Sequence, residues 1–193
     1  MHWLEFLKQF LARNKEIGAV AESSDALAEL ITDYASVEKA KVVLELGPGT
    51  GVFTEKILQK MPDETVFFAL EVNPHFVEAT KRRCPQSRVY HDTAVNARKY
   101  MNELGVTHCD AIVSGLPWAS FSDELQDAIL DAVLDVLKPG GAFVTFAYLR
   151  GDKTESGQQF RRKLHNRFSD VEVSRTVWKN FPPAFVYRAR SPE

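Results

Sequence analysis

Apolar runs along this chain alternate with stretches whose apolar residues recur at helical spacing, the pattern of a mostly parallel sheet with helical crossovers. Strands are expected at about 41–46, 65–71, 87–91, 109–114 and 141–148, and helices at about 52–61, 74–84, 94–104 and 122–137. In LKPGGAFVTFAY (137–148) a helix ends at Lys138, a Pro-Gly-Gly turn follows, and a buried strand begins. The polar GDKTESG stretch then leads into a helix reaching Phe168. Phe160, Leu164 and Phe168 share one face of it, leaving Arg161, Arg162, Lys163 and Arg167 mostly outside. VEVSRTVWKNFPPAFVYRAR (171–190) reads as two strands joined by a Pro-Pro turn, so the sheet should close with an antiparallel hairpin. Ahead of the sheet, residues 2–15 place Trp3, Phe6, Leu7, Phe10 and Leu11 on one helical face. A second helix should start near ESSDALAEL, capped by Ser23 or Ser24. The expected organisation is one domain over 1–193, with an N-terminal helical segment at 1–38 and an α/β core at 39–193.

Composition changes this picture little. The chain is 45% hydrophobic and 26% charged, ordinary for a globular protein, and no apolar run suits a membrane span. Charged residues interrupt the N-terminal apolar stretch, which argues against a secretory signal. Cys84 and Cys109 lack ligand spacing, so no metal is expected and a reducing, cytoplasmic setting is. Charge is uneven: from Arg150 onward ten Lys or Arg face five Asp or Glu, although the whole chain carries a net −2. That basic portion could face an anionic partner, or it could be a solvated surface.

The chemistry starts at VVLELGPGTGVFTEKIL (42–58). Glu45, Gly47, Gly49 and Gly51 give E-x-G-x-G-x-G, with Pro48 and Thr50 between the glycines. A dinucleotide fingerprint would need its third glycine where Val52 stands, and the phosphate-loop pattern is missing. Phosphate is therefore not the obvious ligand. Glu45 would repel a pyrophosphate but suits a ligand bearing an ammonium or sulfonium. Glu71, ending the second strand, is placed for ribose hydroxyls, and Asp92 in VYHDTA could accept from an adenine amino group.

On these residues the sequence resembles the class I S-adenosylmethionine-dependent methyltransferases over nearly its whole length. The resemblance implies a Rossmann-like, seven-stranded, mostly parallel sheet with helices on both faces and a C-terminal antiparallel hairpin. It implies S-adenosylmethionine as cofactor, with Glu45 near its methionine end and Gly47, Pro48, Gly49, Thr50 and Gly51 forming the turn around it. Glu71 and Val72 match the second motif and Asp92 the third, with Thr93 and Ser114 completing the cofactor-lining positions. Many members have a glycine before the third acid, where this chain has His91.

DAIVSGLPW (110–118) looks like the motif with which nitrogen-methylating members hold an amine by backbone carbonyls and an aromatic face. Here Gly115, Leu116 and Pro117 lead into Trp118, whose indole could meet an ammonium group or be buried. IGAVAESSDALAEL (17–30), ELGPGTG, SGLPW and NFPPAFVYRAR (180–190) together resemble the bacterial phospholipid N-methyltransferases. That resemblance implies an amine-bearing phospholipid of phosphatidylethanolamine type, methylated at the inner face of the plasma membrane. The 2–15 helix, with Lys8, Arg13 and Lys15 beside its apolar face, and the basic residues at 161–167 would then meet anionic lipid. The same helix could instead pack on its own domain. Tyr148, Tyr187 and Arg188 are candidates to orient the substrate, no general base is assignable, and His91 and His165 read as surface residues. A soluble amine or an RNA adenine is the alternative acceptor, RNA being disfavoured because the related RNA enzymes carry an added helical domain. A non-catalytic cofactor-binding scaffold is the rival from another class.

Overall fold

A computed structural model describes residues 22–193. Its elements run α1 (Asp25–Ala35), β1 (Val42–Leu46), α2 (Val52–Lys60), β2 (Val66–Glu71), α3 (Pro74–Arg83), β3 (Val89–His91), α4 (Ala97–Leu104), β4 (Cys109–Ser114), α5 (Asp123–Val136), β5 (Leu137–Tyr148), α6 (Glu155–Arg167), β6 (Asp170–Val173) and β7 (Ala184–Arg190). Four helices start where a side-chain oxygen can take a free first-turn amide: Ser24 caps α1, Asn73 caps α3, Ser122 caps α5 and Thr154 caps α6. The helix expected at 2–15 lies outside the described residues.

The strands form one sheet in the order β3-β2-β1-β4-β5-β7-β6, parallel from β3 to β5 and antiparallel at β7 against both neighbours. From β1 the chain winds outward to β3, then crosses back to β4 on the other side of β1. Open sheets take ligands in the crevice this reversal leaves, beyond the carboxyl ends of the strands. Strand residues alternate between two apolar layers. Val43, Ala69 and Val144 pack with Ile31, Phe53 and Val77 from α1, α2 and α3. Leu44, Phe68 and Phe143 pack with Met101, Leu130 and Leu164 from α4, α5 and α6.

Several boundaries differ from expectation for reasons of pairing. Leu137 already pairs with Cys109 on β4, so α5 stops at Val136 rather than Lys138. The Pro-Gly-Gly stretch is held as the irregular start of β5: the Gly140 N–H donates to the Ser191 carbonyl, and the Ser191 N–H to that of Gly141. The helix expected at 94–104 opens with a 3-10 turn at Ala94–Asn96 before α4 begins. The terminal hairpin exists, but the Pro-Pro pair is not its tight turn. Ser174 uses its hydroxyl to accept the Val186 N–H at 2.9 Å, which ends regular β6 pairing and starts a longer connection at 174–183.

The outward basic face expected on α6 is largely neutralised by α5. Lys163 pairs with Asp123 and Asp127, and Arg167 with Asp127 and Asp131. Arg161 reaches Asp152 at 4.0 Å. These residues offer an anionic surface far less free charge than the sequence suggests. Among the described residues, no helix is long and apolar enough to cross a membrane.

Candidate active site

Between β1 and α2 the chain reverses within five residues whose three glycines are left-handed: Gly47 (φ 70°), Gly49 (φ 59°) and Gly51 (φ 87°). Side chains other than glycine rarely adopt this backbone. The turn is fixed from several sides. The Gly47 N–H donates to the Leu70 carbonyl at 2.9 Å, and the Gly51 N–H to the Pro48 carbonyl at 2.9 Å. Thr80 on α3 donates its hydroxyl to the Gly49 carbonyl at 2.9 Å.

The glycines have different jobs. A Cβ on Gly47 would lie 2.6 Å from Leu116 Cδ2, and one on Gly115 would lie 2.4 Å from the Gly47 carbonyl oxygen. These two let the turns after β1 and β4 touch. A Cβ on Gly49 would meet nothing within 4 Å. Gly49 faces open space at the switch point.

Glu71 lies at the β2 end beside this turn and is buried. Its Oε2 accepts the Gly49 N–H at 3.2 Å and its Oε1 the Asn73 N–H at 2.8 Å. Burial holds its carboxyl above the ordinary range, and those backbone amides offset part of the effect. Each oxygen keeps a lone pair for a further donor. Glu45 is wholly buried below the turn, where Thr54 on α2 donates to Oε2 at 2.6 Å. Among the described residues no donor meets Oε1. Burial pushes this carboxyl up to about 8, helped by the charge of Glu71.

Asp92 follows β3. It accepts from the Tyr100 hydroxyl at 2.8 Å, the Asn96 amide at 2.8 Å and the Thr93 N–H at 2.7 Å. Burial works to raise its pKa, but these bonds and the Lys99 charge leave it below the ordinary value. His91 sets its Nε2 at 2.9 Å from the Val72 carbonyl and links the ends of β2 and β3. Val72, Thr93, Ala94, Leu116, Phe121 and Ile129 line a small slot between these strand ends. An apolar slot suits a flat base, flanking carboxylates suit hydroxyls and amines, and a buried oxygen without a donor suits a cation. The acceptor set and the apolar slot fit S-adenosylmethionine.

The SGLPW segment departs from expectation. Ser114 is buried, and its hydroxyl oxygen accepts the Leu116 N–H at 3.3 Å and the Trp118 indole N–H at 3.1 Å. Trp118 is only 3% exposed, and its ring stacks on Phe160 of α6 at 4.4 Å. The aromatic face expected to meet an ammonium group is covered by the protein itself. The Leu116 and Pro117 carbonyls accept the Trp118 and Ser120 N–H groups, whereas no described residue donates to that of Gly115.

Tyr148 stands partly exposed at the carboxyl end of β5, and burial raises its phenol above the ordinary value. Tyr187 is buried and donates its hydroxyl to Asp152 at 2.5 Å, so that hydroxyl is already engaged. Arg188 lies on the α1 side, paired with Glu172 at 2.6 Å and over the Tyr34 ring. It does not reach the cleft, because its register partner Val144 lies several residues before the β5 end.

Thr54, Thr80 and Tyr100, which hold Glu45, the glycine turn and Asp92, escaped sequence reading. Each acts across elements, and a lone Thr or Tyr on a helix carries no periodic signal. Among the described residues no cluster of three or more His, Cys, Asp or Glu could hold a metal ion.

A family profile described as "Methyltransferase domain" matches residues 43–141. The ornithine lipid N-methyltransferase of Singulisphaera acidiphila is 30% identical over 188 residues, covering 96% of this chain and 94% of that one. Among solved structures, the SAM-dependent O-methyltransferase of Thermotoga maritima superposes with a TM-score of 0.70 at 14% identity, covering 93% of this chain and 69% of that one. The N-methyltransferase NodS of Bradyrhizobium japonicum, in complex with S-adenosyl-L-homocysteine, gives a TM-score of 0.67 at 16% identity, covering 90% and 91%. The chain belongs to the methyltransferase-domain family and is an S-adenosylmethionine-dependent methyltransferase.

Proposed function

We propose that this methyltransferase acts on the amine of a membrane-lipid headgroup, of phosphatidylethanolamine or ornithine-lipid type. The observation that carries this reading is the identity, across nearly all of both chains, with a lipid N-methyltransferase. Both headgroups present a primary amine on a flexible tether, so one site chemistry serves either.

When bound, S-adenosylmethionine supplies a methyl carbon activated by a positively charged sulfur. Val72, Thr93 and Leu116 would hold the adenine, with Asp92 to accept from its amino group. Glu71 would accept from the ribose hydroxyls. Gly47, Pro48, Gly49, Thr50 and Gly51 would form the turn around the methionine portion, with Glu45 buried beneath that turn on the side of its ammonium. In-line displacement needs alignment above all, and fixing both partners supplies much of the rate. A lysine-like amine has a pKa near 10 and is mostly protonated at neutral pH, so it must become neutral to attack. Leu116 and Phe121 exclude water, which favours the neutral amine. The Gly115 carbonyl is left to accept from it, with Tyr148 nearby at the end of β5.

Glu45 gives this arrangement a pH signature. Burial pushes its carboxyl in the folded protein up to about 8, from an ordinary value of about 4.5, so between those two values the folded state holds a proton the unfolded state has released. That stabilisation is complete below about 4.5 and is lost as pH rises through about 8. Stability should fall by up to about 1.4 kcal/mol per pH unit across that window, and Glu45→Gln should flatten the slope. Urea unfolding of both proteins across the window measures it; matching slopes would contradict the burial of a titrating carboxyl.

The functional test uses labelled S-adenosylmethionine with mixed micelles of phosphatidylethanolamine or ornithine lipid, beside free ethanolamine and free ornithine. Methylated lipid without methylated free amine is the expected result. Equal turnover of the free amines would transfer the reading to a soluble acceptor.

A further inference from the structure

The 174–183 connection between β6 and β7 is built unlike an ordinary surface loop. Four of its contacts are internal and fixed. Val177 is buried and bridges to Ala184, its N–H donating to the Ala184 carbonyl at 2.7 Å. Asn180 is 2% exposed; its side-chain oxygen accepts the Ser24 N–H at the start of α1, and its amide donates to the Pro182 carbonyl. Ser174 is buried against Val186. Between these anchors Trp178 is 74% exposed and Phe181 is 80% exposed. A flexible loop could tuck an indole away; this one holds both rings outward.

The position of the loop matters as much as its exposure. Because β7 is antiparallel to β5, Ala184 pairs with Tyr148, and the Leu149 N–H donates to the Pro183 carbonyl. The rings therefore project at the carboxyl ends of the parallel strands, the edge that carries the glycine turn and the SGLPW segment. Arg175 and Lys179 flank them, both exposed, and residues 174–183 contain no acid. Neither Arg175 nor Lys179 forms an ion pair with a described residue. An indole and a phenyl ring with cations beside them match the lipid interface: rings at headgroup depth, charges against anionic phosphate.

We propose that Trp178 and Phe181 enter the interface of an anionic lipid surface and set the cofactor cleft against it, with Arg175 and Lys179 on the phosphates. The proposal rests on the lipid-headgroup reading for its purpose, but the contact can be measured without methyl transfer. It also moves the membrane contact away from the basic face of α6, whose charges α5 already pairs.

The experiment follows tryptophan emission of the full chain with vesicles of phosphatidylethanolamine and phosphatidylglycerol containing a brominated-chain lipid. Emission should shift to the blue and be quenched, and Trp178→Phe should remove that component while the protein still sediments with vesicles. Trp178→Ser with Phe181→Ser should weaken vesicle binding about tenfold or more. Arg175→Glu with Lys179→Glu should weaken it about fivefold per residue on anionic vesicles and little on zwitterionic ones. Both double variants should bind S-adenosyl-L-homocysteine like the parent, which shows that they fold. Unchanged vesicle binding by the serine variant, or dimers that it dissociates, would overturn the proposal. If micellar lipid is methylated but the loop variants bind vesicles normally, only the docking surface fails. If the loop is quenched but no lipid is methylated in micelles, only the substrate reading fails.

Discussion

Alanine at Gly49 is expected to weaken S-adenosyl-L-homocysteine binding by about tenfold to a hundredfold, while alanine at Gly140 leaves it unchanged. The two positions form a matched pair. Both are left-handed, at φ 59° and 68°, and at both a Cβ would meet nothing within 4 Å. Each substitution should therefore carry the same backbone strain, roughly 1–2 kcal/mol. Only their places differ: Gly49 opens on the switch-point crevice, whereas Gly140 lies at the start of β5, on the opposite edge of the sheet. Similar melting temperatures with binding lost at Gly49 alone would tie that open space to the ligand. Equal binding by the two variants would mean that the cofactor does not pass over Gly49.

The second large effect belongs to Glu71. Removing its carboxylate by Glu71→Ala should raise the dissociation constant for S-adenosyl-L-homocysteine by at least about a hundredfold. Two charge-assisted hydrogen bonds to ribose, at roughly 1.5–3 kcal/mol each, account for a loss of that size. Stability should drop too, because the Gly49 and Asn73 amides lose their acceptor. Glu71→Gln separates the effects: it fills the same space and can still accept one amide, so it should recover part of the stability but little of the affinity. Calorimetric titration with both variants makes the measurement. An affinity within about twofold of the parent for Glu71→Ala would remove the ribose role.

Much of this site was legible in the residues because its signals are local. The spacing of Glu45, Gly47, Gly49 and Gly51 reports a backbone conformation, and Glu71 stands where an apolar run stops. Strand ends then fall on one edge by topology alone. Trp118 was not legible in this way. An aromatic after a strand can turn outward or inward, and the decision here rests with Phe160, far along the chain on α6. The charges of α6 misled for the same reason, since their partners lie on α5. At the hairpin, the Pro-Pro pair looked like the turn, but Ser174 ended the pairing earlier with its own hydroxyl. Where the deciding contact is distant in sequence, residue type and spacing leave both outcomes open.

β7 is the last of the seven strands in sequence, yet it sits inside the sheet, between β5 and β6. During synthesis, one flank of β5 stays without its neighbour until residues 184–190 have left the ribosome. The cofactor edge, which β5 helps to frame, is thus finished late, and nascent chains expose an unpaired ribbon of Val144 and Phe146 in the meantime. Such open flanks invite pairing with other chains.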